Sequence, residues 1–428
     1  MADLFGPVTR DERQAQCIEN WVKHKGKATV VGATGFGKTR VGTNLIGKIL
    51  KRKPQYRILV VVPTTTLKEQ WEEILDSLGY GLNCSVEVIN TIVLKDTKYT
   101  CDFLILDEIH RFASDLFQQV FNRVNYSLIL GLTATIERLD GKEIIIKQYC
   151  PVCDEITLEE CMINGWISDY KEYQVLIEVD NIQEYKDLNR QFNEHFGFFN
   201  YDFGLVMNMV GPKGYLARIA YRDQLCPNGT KEEKSAVLKS IIYHSTAFMR
   251  ALQGRKSFIN NHPKKIEIAR KIMEARSNSK ILTFSNNVPM AEAIEGGQNV
   301  YTGKTSKKKG RVMVEDFTSG KIKTLHSCKK LDEGFDVPDA SVAIILGFDS
   351  SETKSTQRRG RVVRKYENKT AEIFYIVIKD TQEEKWFKTA HTNTTNYLTI
   401  DEHGLDQVLK GQQPDLYKKK LGEIMFRW

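Results

Sequence analysis

Residues 32–39 read Gly-Ala-Thr-Gly-Phe-Gly-Lys-Thr, and this octapeptide decides the fold. It has the spacing of a phosphate-binding loop: a glycine, four residues, then Gly-Lys-Thr. The apolar run Ala28-Thr29-Val30-Val31 precedes it, and Arg40 to Leu50, which reads as a helix, follows it. Strand, loop and helix form the context the motif requires. Gly32, Gly35 and Gly37 allow backbone N–H groups to turn inward around phosphate oxygens without Cβ clashes. Lys38 is placed to reach the β- and γ-phosphates of ATP, and the Thr39 hydroxyl to sit on Mg²⁺.

Downstream, Asp107-Glu108-Ile109-His110 follows Phe103-Leu104-Ile105-Leu106, an apolar run of the kind expected of a buried parallel strand. Carboxylates at the carboxyl end of such a strand face the ligand crevice of an open α/β sheet. Mg²⁺ prefers a few hard oxygen ligands and keeps its waters, which suits Asp107. Glu108 is then placed to orient and deprotonate a water attacking the γ-phosphate.

With these two motifs in hand, the chain resembles a superfamily 2 helicase, and the match runs nearly end to end. Gln14 stands upstream of the phosphate loop, where that superfamily has its adenine-reading glutamine. Val62-Pro63-Thr64-Thr65-Thr66-Leu67-Lys68-Glu69-Gln70-Trp71 resembles its first strand-binding motif, Asn90-Thr91 the next, and Leu132-Thr133-Ala134-Thr135 its coupling motif. Ile136-Glu137-Arg138-Leu139-Asp140-Gly141 resembles the Pro-x-Arg-x-Asp-Gly of one branch, with Ile136 in place of proline. That branch holds the XPB-like repair helicases and the UvsW-like recombination helicases of tailed phages. The compact length fits a phage enzyme better than a eukaryotic one. In the second half, Leu331-Asp332-Glu333-Gly334-Phe335-Asp336-Val337-Pro338 and Gln357-Arg358-Arg359-Gly360-Arg361-Val362-Val363-Arg364 complete the set.

The resemblance implies paired RecA-like domains with ATP in the cleft between them. Lys38, Thr39 and Asp107 would hold MgATP, and Gly334 and Asp336 would meet the nucleotide, Asp336 as the carboxylate that contacts ribose. Gln357 would read the γ-phosphate, and Arg361 and Arg364 would act as arginine fingers from the second domain. His110, Thr133 and Thr135 would couple the nucleotide to movement. Thr64, Thr91, Thr302, Gly303 and Lys329 would grip the phosphate backbone without reading sequence. Cys328 stands where the superfamily commonly has threonine, and a thiol is the weaker donor.

Composition bounds the rest. A chain of 428 residues predicts two to four domains, and 41% hydrophobic with 27% charged residues is ordinary for a globular protein. No apolar stretch approaches the ~20 residues of a membrane span, and the N-terminus lacks a secretory pattern. Eight dispersed cysteines do not make a disulfide framework, so a reducing cytoplasm is expected, the host's if the chain is viral. Cys150-Pro151-Val152-Cys153 invites a zinc reading, but no second close pair accompanies it. The net charge of +8 permits a polyanionic partner without demanding one.

The fold class predicted is α/β: two parallel-sheet, RecA-like domains with an intervening, mainly helical insert. Residues 1–150 form the first domain, 151–265 a connecting segment and insert, 266–390 the second domain and 391–428 an extension. Six aromatic residues crowd between Phe192 and Phe203, and packing of a small helical subdomain accounts for them better than base stacking. The function expected is an ATP-dependent DNA helicase or translocase acting, as a monomer, on single-stranded, forked or junction DNA alongside other replication or recombination proteins. An RNA helicase and a duplex-tracking motor subunit are the alternatives.

Overall fold

The protein is described from a computed structural model covering residues 8–95, 97–138, 140–211, 214–328, 340–348, 370–391 and 397–417. Fifteen strands are named in chain order. They are β1 (Lys27–Gly32), β2 (Ile58–Val62), β3 (Cys84–Val88), β4 (Tyr99–Thr100), β5 (Phe103–Asp107), β6 (Val124–Asn125), β7 (Leu128–Thr133), β8 (Val152–Ile156), β9 (Tyr170–Ile177), β10 (Ile281–Ser285), β11 (Val300–Tyr301), β12 (Thr324–Cys328), β13 (Val342–Ile345), β14 (Ala371–Ile378) and β15 (Tyr397–Ile400).

Two parallel sheets form the frame. The first runs β3-β2-β5-β7-β1-β8 and the second β11-β12-β10-β13-β14-β9-β15. Strands β2 and β5 are buried at every residue, which is why they read as unbroken apolar runs rather than alternating ones. Helices cover both faces. Trp71 and Leu75 of helix Thr65–Ser77 and Val41, Leu45 and Ile46 of helix Lys38–Arg52 pack on one face of the first sheet. Ile89, Phe112, Phe121 and Ile146 close the other. This is the architecture of two RecA-like domains.

Pairing carries three strands across the expected boundaries. The first sheet continues past residue 150, because β8 pairs with β1. The second sheet takes β9, next to β14, from the segment read as a connector, and β15, beyond β9 at the edge, from the segment read as an extension. Strand membership across such sequence distances depends on which edge is open, and local pattern carries no record of it.

The insert is helical: Ile182–Gly197, Phe203–Val210, Gly214–Leu225 and Lys231–Asn261. Its last helix, 31 residues and about 46 Å long, joins two cores. Phe258 and Ile259 near its end belong to the core of the second sheet, with Tyr185 from the first insert helix. Ile241 and Phe248 farther out belong to a separate core with Phe199, Val206, Met209 and Tyr221. Arg255 lies between them, its guanidinium 4.1 Å from the centre of the Phe192 ring. The insert is thus a stalk rooted in the second domain. Its last helix begins at a capping box on Thr230 and ends where Pro263 starts the next helix.

Beneath that root, Lys265 and Glu383 form an ion pair with neither side chain exposed to solvent. Lys265 Nζ also donates to the Leu346 carbonyl at 2.8 Å, and Glu383 accepts from the Ile378 N–H at 3.0 Å. Burial lowers the lysine's pKa and raises that of the glutamate, while each partner opposes the other's shift. Removing one member leaves an uncompensated buried charge. Lys265→Met should therefore destabilise the chain by about 3–5 kcal/mol, and adding Glu383→Leu should restore most of it. Urea denaturation of the single and double variants checks this.

Candidate functional site: a phosphate loop beside a buried acidic strand end

The first sheet's carboxyl edge gathers the chemistry. Strands β1, β5 and β7 end there at Gly32, Asp107 and Thr133. The phosphate loop leaves β1 and passes through Gly35 and Gly37 at φ of +93° and +91°, a left-handed path open to glycine. A Cβ on Gly37 would lie 2.7 Å from Gln14 Nε2, so the glutamine and the loop fit only with glycine there. The helix then starts at Lys38, directly after the loop and without a side-chain cap on its first N–H groups.

Gln14 is buried, and its Nε2 donates to the Phe36 carbonyl at 2.9 Å. Its Oε1 and the Thr34 hydroxyl are buried without hydrogen-bond partners among the described residues. Orphaned polar atoms of this kind call for a polar ligand. Lys38 Nζ meanwhile donates to the Gly32 carbonyl at 2.9 Å, the first residue of its own loop. These donors, acceptors and open turns fit a nucleotide triphosphate.

Asp107 closes the site from the neighbouring side. It is nearly buried, and burial with the Glu108 charge pushes its pKa up to about 6. Trp71 Nε1 opposes that shift by donating to Oδ2 at 2.9 Å, and the Lys38 charge adds to the opposition. Sequence reading placed Trp71 in a strand-binding motif. Here its fully buried indole instead holds the acidic strand end, a role that only the packing reveals. Glu108 has φ of +54° and ψ of 49°, a conformation that costs a non-glycine residue of order 1–3 kcal/mol. Such strain gathers where side-chain direction matters to chemistry.

A chain of hydrogen bonds leads away from this pair. His110 Nδ1 lies 3.3 Å from Glu108 Oε2 and 2.9 Å from Thr133 Oγ1. Thr133 gives its single proton to the Thr135 carbonyl at 2.6 Å, so His110 Nδ1 is the donor to Thr133. Arg138 Nη1 donates to the His110 carbonyl at 2.7 Å, and the same guanidinium grips Asp140 with two bonds of 2.8 and 2.7 Å. The Arg-x-Asp spacing of the branch motif thus ties its loop to the acidic box, a link that residue spacing alone does not show. His110, Thr133 and Thr135 are brought together beside Glu108.

The expected nucleic-acid residues lie apart from this network. Thr64 caps helix Thr65–Ser77 by accepting from the Leu67 N–H at 3.3 Å. Thr91 sits half-buried in the short helix after β3. Thr302 is buried and accepts from the Lys304 N–H at 3.2 Å, while Gly303 is exposed with open space where a Cβ would go. Lys329, Gly334, Asp336, Gln357, Arg361 and Arg364 lie outside the described residues. Cys150 is buried, and the Cys153 thiol donates to the Thr29 carbonyl at 3.4 Å. Among the described residues no three His, Cys, Asp or Glu side chains gather as a metal site would need, and no helix is long and apolar enough to cross a membrane.

Paired parallel sheets, one of them carrying a phosphate loop and an acidic strand end, define a nucleotide-driven two-domain motor. Comparison with known proteins agrees. Residues 8–99 and 84–138 match the family described as type III restriction enzyme, res subunit, and residues 264–366 match the helicase conserved C-terminal domain. The DNA 3'-5' translocase XPB2 of Sulfurisphaera tokodaii is 29% identical over 389 residues, covering 86% of this chain and 81% of that protein. Putative helicase 22 of a Sulfolobus islandicus filamentous virus is 23% identical, covering 83% of this chain and 62% of that protein. Among solved structures, S. cerevisiae Dbp5 bound to RNA and ADP BeF3 shares the fold, with a TM-score of 0.57 at 11% identity over 93% of this chain and 91% of that one. The chain belongs to the superfamily 2 helicases and is an ATP-dependent enzyme that binds nucleic acid.

The hydrogen bonds that join Thr133, His110 and Arg138 beside Glu108 make a test possible. Thr133→Val removes both the acceptor for His110 and the donor to Thr135 without changing shape. Nucleic-acid-stimulated hydrolysis should fall about tenfold or more, and unstimulated hydrolysis by less than about threefold. Equal losses would place Thr133 in the chemistry itself rather than in coupling. Steady-state ATPase assays with and without DNA decide it.

Proposed function

We propose that this chain is an ATP-dependent DNA helicase or translocase that unwinds or branch-migrates forked or junction DNA in recombination, repair or replication. One observation carries the choice of DNA. The likeness to a DNA translocase spans most of both chains, whereas the likeness to putative ATP-dependent RNA helicase QP509L of African swine fever virus covers 33% of this chain. The archaeal relative's name also supports 3′–5′ movement. That same name, a translocase, favours a second reading in which the motor tracks duplex DNA without parting its strands.

In this reading Lys38 neutralises the β- and γ-phosphates, Thr39 and Asp107 hold Mg²⁺, and Gln14 uses its orphaned carbonyl oxygen on the adenine edge. Mg²⁺, when bound, supplies charge neutralisation on the transferring phosphoryl group. Glu108 takes the proton of the attacking water, and the strained backbone beneath it fixes where its carboxylate points. Arg361 and Arg364 reach from the second domain, so closure gains its partner only while the triphosphate is present. His110 and Thr133 pass the state of Glu108 to the loop held by Arg138. Thr64, Thr91, Thr302, Gly303 and Lys329 meet phosphates, so affinity is steeply salt-dependent and nearly sequence-blind.

The insert supplies the branched-DNA preference in this reading. Phe192, Phe196, Phe198 and Phe199 serve its own core. Tyr201 and Phe203, from the same run, stay 64% and 50% exposed at its outer end and are available to stack on parted bases. Exposed Arg250 adds phosphate contact on the last insert helix.

ATPase rates with single-stranded DNA, duplex, fork, four-way junction and RNA test the substrate class. The fork or junction should stimulate most, and strongest stimulation by RNA overturns the DNA reading. Two variants test the chemistry. Lys38→Ala should weaken ATP binding, whereas Glu108→Gln should bind ATP and fail to hydrolyse it. Near-normal turnover by Glu108→Gln would remove it as the base.

A further inference from the structure

The polypeptide between β8 and β9, residues 157–169, is the passage from the first sheet to the second. Its course is not that of a free tether. It forms the helix Leu158–Ile163, turns at Gly165 with φ of +62°, and buries Trp166 and Ile167 against the phosphate loop. The Trp166 indole lies 5.7 Å from the Phe36 ring, centre to centre, and Phe36 is itself fully buried. Ile167 takes the space beside Gly35, where a Cβ would come within 2.8 Å of its Cγ2.

The first helix, Arg10–Lys23, locks this arrangement from the other side. The Arg10 guanidinium donates to the Trp166 carbonyl, and Trp166 Nε1 donates to the Val8 carbonyl at 3.2 Å. Gln14, one helical turn after Arg10, donates to the Phe36 carbonyl. Residues four apart share a helix face, so one face grips the connector with Arg10 and the loop with Gln14. Just beyond Trp166, Asp169 already accepts from the Ala371 N–H of the second sheet at 2.7 Å.

We propose that Trp166 is a positioning residue for the nucleotide site: it holds Phe36, and with it the phosphate loop, in register with the root of β9. The loop's conformation and the disposition of the second sheet are then one variable. Nucleotide that fixes the loop shifts Trp166, and the shift reaches β9 through three residues of backbone. This route is additional to the arginines that cross the cleft, and it works in the first domain's own half of the site. It rests on the reading of residues 32–39 as the ATP site.

The test uses the full chain. Tryptophan emission is followed on titration with a non-hydrolysable ATP analogue in the wild type and in Trp166→Phe, and binding is followed separately by anisotropy of a fluorescently labelled analogue. ATP should change the wild-type emission, and most of that change should vanish in Trp166→Phe although the labelled analogue still binds. Trp166→Ala should raise KM for ATP about tenfold, more than it lowers kcat, and Trp166→Phe should keep KM within about twofold. A purely structural tryptophan would lower thermal stability in Trp166→Ala and leave KM unchanged, which overturns the proposal. An emission change equally large in Trp166→Phe overturns it too, whether or not the alanine variant folds. Absence of labelled-analogue binding to the wild type overturns the ATP-site reading itself, and this proposal with it.

Discussion

Two adjacent carboxylates at the end of a strand buried along its whole length must be compensated, and much of the first domain is arranged to do so. Asp107 closes β5 with almost no access to water, where a charge without partners is costly. Trp71 reaches it from helix Thr65–Ser77, the Glu108 N–H turns back on it at 3.0 Å, and Lys38 brings charge from the loop after β1. Glu108 adopts a left-handed backbone and His110 stands against it. Three strand ends and one neighbouring helix are therefore held in mutual register around this buried charge.

Movement has to leave that site, and the fold offers rigid parts to carry it. The bonds from His110 through Thr133, with Arg138 on the His110 carbonyl, bind the acidic box to the loop after β7. The connector lies on the phosphate loop before entering the second sheet as β9. From that sheet the helix Lys231–Asn261 rises as an unbroken rod to the outer core of the insert. A change at the loop thus has continuous packed structure ahead of it, out to exposed Tyr201 and Phe203.

Much of this was legible from residue type and spacing. The phosphate loop needs glycine at Gly35 and Gly37 because the chain turns left-handed there, and the apolar run before Asp107 could only be a strand covered on both faces. Strands β9 and β15 escaped assignment to the second sheet because parallel pairing is decided by which edges remain open, far away in sequence. The aromatic run from Phe192 to Phe203 could not be divided by eye. A helix end and two left-handed residues, Asn200 and Tyr201, fall inside it, so that Phe199 is buried while Tyr201 and Phe203 lie half-exposed against the edge of Phe196. Trp71 and Trp166 were invisible as parts of the site, since nothing local marks a tryptophan as the neighbour of a carboxylate or of a glycine loop.

The most direct test of the motor account is ATP-driven displacement of a third strand from a DNA triplex by the purified full chain. A motor that tracks DNA strips the third strand at a rate set by ATP concentration, and the Glu108→Gln variant strips none. Brisk DNA-stimulated hydrolysis with no triplex displacement at any ATP concentration would contradict the claim that this site moves the protein along DNA.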